Sequence, residues 1–160
     1  MKGIKMTLDD IDRRILAELQ LDASESLEKL GERVGLSRNA CWNRVRRLEE
    51  AGILKARVAL VDADKVNLGL SVFIAVKTNE HDQAWAEAFA KATRAFPEIQ
   101  GVYRTSGDLD YIIRARVPDM AAYDALYQNL IKKIRLTDVS ASFVMQEIKE
   151  TTALPLSYTR

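Results

Sequence analysis

The sequence predicts an α+β protein in two parts: an N-terminal winged helix-turn-helix over residues 1–60 and a C-terminal ferredoxin-like βαββαβ domain over 71–160, joined by a linker at 61–70. Three observations carry this. Apolar residues recur at helical spacing up to about residue 50, and each such stretch begins at a capping residue. The stretch 35–52 reads as a turn, a helix cap, a basic amphipathic helix and a glycine stop. Beyond residue 70 the pattern becomes strand, helix, strand, strand, helix, strand, the split βαβ order.

The first helix is expected to start at a Thr7/Asp10 capping pair and run to about Leu21, with Ile11, Ile15, Leu16 and Leu19 facing inward. Ser26 caps a short second helix whose apolar positions are Leu27, Leu30 and Val34, and Gly35 breaks it. Ser37 caps the third, Gly52 stops it, and Cys41, Val45 and Leu48 form its apolar stripe. Asn39, Asn43, Arg46 and Glu50 fall on the opposite face, with Trp42 and Arg47 beside it. Helix, short helix, glycine-containing turn and basic helix is the pattern of a helix-turn-helix. Arginine can bond guanine edges in pairs and asparagine can do the same for adenine, so this outer face suits the major groove of double-stranded DNA. Ile53-Leu54 and Arg57-Val58 are read as a short extended wing.

Charge is distributed to match. The chain is net +1 overall, yet residues 36–58 carry net +4 and residues 61–160 net −1. The positive field therefore sits where phosphate contacts need it. Ser37, Arg38, Asn39, Trp42, Asn43, Arg46 and Arg47 are the candidate DNA contacts. Trp42 has two open readings, packing on DNA (backbone or thymine methyl) or leaning on the neighbouring helix. Arg44 lies nearer the apolar stripe, which favours an ion pair with an acidic residue.

In the second part, Ser71–Thr78 is a β-rich run, Gln83–Phe96 a helix with Trp85, Phe89, Ala92 and Phe96 on one face, and Ile99–Thr105 a strand. Gly107-Asp108-Leu109 is a turn and Asp110–Val117 the next strand. Pro118-Asp119 opens a helix whose apolar face is Tyr123, Leu126, Tyr127, Leu130, Ile131 and Ile134, and Val139–Ile148 is the last strand. Two helices cover one face of such a sheet. Yet Val72, Ile74 and Val76 make one face of the first strand apolar and Phe73 and Ala75 the other, and strand 111–117 has Tyr111, Ile113, Ala115 and Val117 on one face and Ile112 on the other. A sheet apolar on both faces is buried on both, which implies a homodimer, and a dimer also presents two recognition helices to a palindromic site.

Other classes find little support. One histidine (His81, in a polar stretch), one cysteine and no phosphate-binding glycine motif leave no catalytic set, metal cluster or cofactor site, so no enzyme is expected. No run of about 18 apolar residues and no apolar signal core are found, and a single cysteine forms no internal disulfide; the expected location is cytoplasmic, with no membrane span. Cys41 reads as a small buried hydrophobe.

Cys41-Trp42-Asn43-Arg44-Val45-Arg46-Arg47-Leu48-Glu49, the linker ending Asn67-Leu68-Gly69, and Tyr103-Arg104-Thr105-Ser106-Gly107-Asp108-Leu109-Asp110-Tyr111 resemble the Lrp/AsnC (leucine-responsive, or feast/famine) transcription regulators over nearly the whole chain. The resemblance implies a sheet-mediated dimer that assembles to an octamer, and a small amino-acid effector bound between dimers, controlling genes of amino-acid metabolism. The Cys-Trp pair and the tail Gln146–Leu156 look like the subgroup with a cysteine-responsive regulator, which puts L-cysteine forward as effector. The implied effector residues are Thr105, Ser106, Gly107, Asp108, Asp110, Tyr111, Ser140 and Ser142. An aspartate, Asp108 or Asp110, would receive the ammonium, and backbone N–H groups around Ser106-Gly107 the carboxylate. From the residues alone Gly107-Asp108 reads first as an ordinary hairpin turn; the resemblance gives it the second role. An architectural DNA binder without an effector stays open as the alternative.

Overall fold

The computed structural model describes residues 7–80 and 82–159, so His81 lies outside the described residues. The chain divides into two compact units, Met1–Ala59 with Lys149–Arg160, and Leu60–Ile148.

The first unit holds α1 (Asp10–Leu21), α2 (Leu27–Val34) and α3 (Arg38–Glu50). Its core is Leu8, Ile15, Leu16, Leu30, Val34, Cys41, Val45 and Leu48, with Ile11, Leu19, Leu27 and Leu36 packed around it. The predicted stripes of all three helices are therefore the buried ones. Ser26 and Ser37 cap α2 and α3 as expected, accepting from the N–H of Lys29 and Ala40. Gly52 (φ 69°) closes α3: its N–H reaches the Glu49 carbonyl and the Ile53 N–H reaches that of Leu48, a Schellman closure. Gly31 sets the α2–α3 turn, because a Cβ there would lie 2.7 Å from the Leu36 carbonyl oxygen.

Two expectations change. The α1 cap is not Thr7/Asp10 but Asp9, whose carboxylate accepts from Asp12 N–H while Asp12 accepts from Asp9 N–H. The wing is absent: 53–58 contains no strand. The N–H groups of Ile53 and Leu54 both turn back to the Leu48 carbonyl, and among the described residues of this unit there is no strand to pair the residues that follow.

The second unit begins with η1 (Asp64–Val66), inside the segment read as a linker, where Asn67 takes a left-handed φ of 60°. There follow β1 (Leu70–Lys77), α4 (Gln83–Arg94), β2 (Ile99–Arg104), β3 (Tyr111–Val117), α5 (Met120–Lys133) and β4 (Asp138–Phe143). The sheet order is β2-β3-β1-β4, antiparallel throughout, which is the ferredoxin-like arrangement. Val72, Ile74, Val76, Ile113, Ala115 and Val117 face α4 and α5, meeting Trp85, Phe89, Ala92, Leu126, Leu130 and Ile134. Ile131, expected inward, is 37% exposed; it lies one residue, about 100° around the helix, from buried Leu130.

β4 ends at Phe143 rather than Ile148. Its partner β1 starts at Leu70, and after Val144 N–H donates to the Ser71 carbonyl no strand remains alongside. Residues 149–160, expected with the second domain, instead group with the first unit. On the sheet face away from the helices Phe73 is 42% and Tyr103 52% exposed, with Ala75 and Ile112 half-buried between them.

Candidate nucleic-acid interface and effector site

Helix α3 presents one face to solvent. Ser37, Arg38, Asn39, Trp42, Asn43, Arg46 and Arg47 are all exposed, while Cys41, Val45 and Leu48 anchor the helix from behind. Trp42 projects outward at 46% exposure with the Arg46 guanidinium 5.4 Å from its ring centroid. Arg46 Nε also donates to Glu50 at 2.7 Å.

Behind this face lies an ion-pair network that the sequence reading saw only in part. Asp12 is fully buried. It accepts from Arg44 Nη1 at 2.8 Å and from Arg47 Nη2 at 2.7 and 3.0 Å. Arg44 Nη1 also donates to Asp9 at 2.6 Å, which makes the expected structural ion pair of Arg44. Hydrogen bonding from the Arg44 guanidinium, and then from the Asp12 N–H, lowers the Asp9 carboxyl to about 2. Asp9 in turn pushes Arg44 further toward its charged form. Arg47, expected to face DNA, is held by α1 and reaches solvent with about half of its side chain. Cys41 is fully buried and desolvation raises its thiol, the inert condition of a core cysteine.

In the second unit the loop between β2 and β3 is pinned at its base. Thr105 Oγ1 donates to the Leu109 carbonyl at 2.5 Å and Thr105 N–H to the Asp110 carbonyl at 2.9 Å. Asp110 accepts the Thr78 N–H on its carboxylate at 2.8 Å and donates its own N–H to the Val76 carbonyl. Asp110 is thus a structural anchor of the loop. Ser106, Gly107 and Asp108 stand exposed at its tip, and Gly107 has φ 118°, a conformation that favours glycine.

The eight implied effector residues do not form one cluster within a chain. Tyr111 points to the helix side, packed against Phe89 at 4.7 Å and Trp85 at 5.7 Å. Ser140 and Ser142 lie on the opposite sheet face, opposite Ala75 and Phe73 in register, on the strand two away from β3. What the sequence reading missed is a cavity of about 300 Å³ beside the loop, lined by Glu80, Asp82, Gln83, Trp85, Arg104, Asp110 and Tyr111. It offers a guanidinium and carboxylates around an aromatic wall. Arg104 was within the quoted motif, but its place in the cavity follows from β2–β3 pairing, where it lies opposite Tyr111.

A helix-turn-helix unit with an exposed basic helix, followed by a ferredoxin-like unit with a small polar cavity, defines a DNA-binding transcriptional regulator with a ligand domain. Residues 8–49 match the AsnC-type helix-turn-helix domain and residues 71–154 the Lrp/AsnC ligand binding domain. The chain is 45% identical to the glutamate uptake regulatory protein of Zymomonas mobilis over 95% of its length and 93% of the relative's. It is 44% identical to the DNA-binding transcriptional activator DecR of Escherichia coli over 93% of its length and 99% of that protein's. Among solved structures, the regulator NMB0573 of Neisseria meningitidis in complex with L-methionine superposes with a TM-score of 0.90 at 38% identity, covering 94% of this chain and 98% of that one. The chain belongs to the Lrp/AsnC family of transcriptional regulators. No helix among the described residues is long and apolar enough to cross a membrane.

Proposed function

We propose that this protein is a cytoplasmic regulator, not an enzyme, which binds operator DNA through α3 as a homodimer or an octamer built from dimers. The observation that carries the reading is the exposed row Arg38, Asn39, Trp42, Asn43 and Arg46 on a helix locked from behind by Asp12. Such a row reads base edges and phosphates once the helix is held rigid. The half-exposed Phe73–Ile112–Tyr103 face supports sheet-to-sheet dimerisation.

The ligand domain takes a free amino acid. A zwitterion needs an anion and a cation donor set a few ångströms apart, and the cavity beside the loop supplies Arg104 for the carboxylate and Glu80 for the ammonium. Asp108 stands at the exposed tip, positioned to join from the loop or to reach a neighbouring chain's site, where Ser140 and Ser142 would add hydroxyl contacts. Candidate effectors are L-cysteine, from the subgroup resemblance, L-methionine, which the Neisseria meningitidis relative holds in complex, and glutamate, whose uptake the Zymomonas mobilis relative is named for regulating. Binding shifts the population of one assembly over another and so changes promoter occupancy.

The test is a gel shift at fixed salt on the DNA upstream of this protein's own gene, with and without each amino acid. Specific binding altered by one of them supports the reading. Specific binding unmoved by any favours the architectural alternative, whose signature is weak sequence preference and a steep salt slope.

A further inference from the structure

Helix α1 is gripped on its flank by the C-terminal tail. Gln20 pairs with Leu154 in both directions: the Leu154 N–H donates to Gln20 Oε1 at 2.7 Å and Gln20 Nε2 donates to the Leu154 carbonyl at 3.2 Å. Seven residues back, and so on the same side of the helix, Arg13 donates Nε to Thr159 Oγ1 at 2.8 Å and Nη2 to the Thr159 carbonyl at 3.1 Å. Between these two clamps Leu156 is half-buried against the three-helix core. A one-turn 3₁₀ helix, Leu156–Tyr158, is closed by Thr159, whose N–H and hydroxyl both donate to the Leu156 carbonyl. The helix-turn-helix match ends at residue 49 and the ligand-domain match at 154, so Leu156 and Thr159 lie beyond both.

We infer that residues 151–159 are a latch on the DNA-binding unit. The polypeptide crosses between the units twice, leaving that unit before β1 and returning to it after β4, the strand that carries Ser140 and Ser142. The docked tail holds α1; α1 supplies Asp9 and Asp12; these hold Arg44 and Arg47 of α3. Undocking loosens the platform behind the recognition helix and lowers DNA affinity without altering any DNA-facing residue. The grip is two exposed and two part-buried polar bonds with one half-buried leucine, individually weak, as a reversible contact requires. The role in affinity rests on the DNA-binding reading; the docking itself does not.

The test uses the full chain, with Gln20→Ala and Leu156→Ser variants. Hydrogen exchange read by mass spectrometry without DNA reports the docking, anisotropy titration on the operator fragment reports affinity, and sedimentation reports assembly. We expect protection of 151–159 in the parent chain, about tenfold faster exchange there and in α1 in both variants, and DNA affinity lowered by about threefold or more at unchanged mass. Tail amides exchanging at unstructured rates in the parent would overturn the latch, as would variants that exchange faster yet bind DNA like the parent, or whose loss of affinity tracks a loss of assembly. A protected tail in a parent chain that binds no DNA would overturn the DNA-binding reading and the latch's role in affinity, while upholding the docking.

Discussion

Arg47 donates to both carboxylate oxygens of Asp12, at 3.0 and 2.7 Å, across 35 residues of sequence. Together with the bonds from Arg44 to Asp9 and Asp12, this contact ties α3 to the start of α1. Asp12 also receives Arg44. A fully buried carboxylate with two guanidiniums and a backbone N–H has its lone pairs taken, so the pair stabilises rather than strains the unit.

Asp12→Ala should therefore destabilise the protein. Removing one partner of a buried ion pair costs about 3–5 kcal/mol; because both arginines retain solvent contact, we expect about 2–3 kcal/mol here. The urea midpoint checks this, and an Arg47→Met change alone should cost less, since Asp12 keeps Arg44.

Acid sensitivity follows from Asp9. Its folded-state carboxyl lies at about 2, below the ordinary value, so the contribution is fully present above about pH 4 and is lost as pH falls toward about 2. Asp9→Asn keeps an N-cap oxygen but not the charge. Its melting temperature should fall less steeply than the parent's between about pH 5 and about pH 3 in a melting series.

The Cys41 thiol is buried and raised. In the folded chain it should react with a thiol reagent no faster than global unfolding allows. Rapid labelling of the native protein would show that the stripe of α3 is not packed as described.

Gly107 holds a φ of 118° with no atom near the place a Cβ would occupy. Gly107→Ala is therefore a backbone change and not a clash. It should cost on the order of 1–3 kcal/mol of local strain, seen as a lower melting temperature of the second unit and a displaced loop, with DNA binding by the first unit unchanged in the absence of effector.

The elements themselves were legible because periodicity and caps act locally. Ser26, Ser37, Gly35 and Gly52 occupy the roles their chemistry suggests, and every residue expected in the stripe of α3 is buried. The misses are places where a distant residue decides. Thr7/Asp10 and Asp9/Asp12 share one spacing, and the second pair wins because Asp9 and Asp12 meet arginines of α3. Val144–Ile148 is apolar enough for a strand, yet β1 has already ended opposite it. The wing fails for want of a partner strand. The exposed face of α3 was readable residue by residue, since one helix carries it; what no local pattern showed is that Arg47, itself exposed, also bonds Asp12 of α1. The residues the family resemblance implied for the effector lie on two sheet faces, and the Arg104–Glu80 cavity depends on β2–β3 register and the start of α4, which no local pattern specifies.

The most direct measurement is operator binding by three chains in parallel, the parent, Arg46→Ala and Asp108→Ala, titrated at fixed salt with and without the responsive amino acid. Arg46 is exposed and contacts Trp42 and Glu50 at the surface, so Arg46→Ala should fold and assemble normally while losing about 1–3 kcal/mol of DNA affinity. Asp108→Ala should bind DNA like the parent and no longer respond to the amino acid. Undiminished DNA affinity in Arg46→Ala, or a full effector response in Asp108→Ala, would contradict the assignment of DNA reading to α3 and effector sensing to the β2–β3 loop.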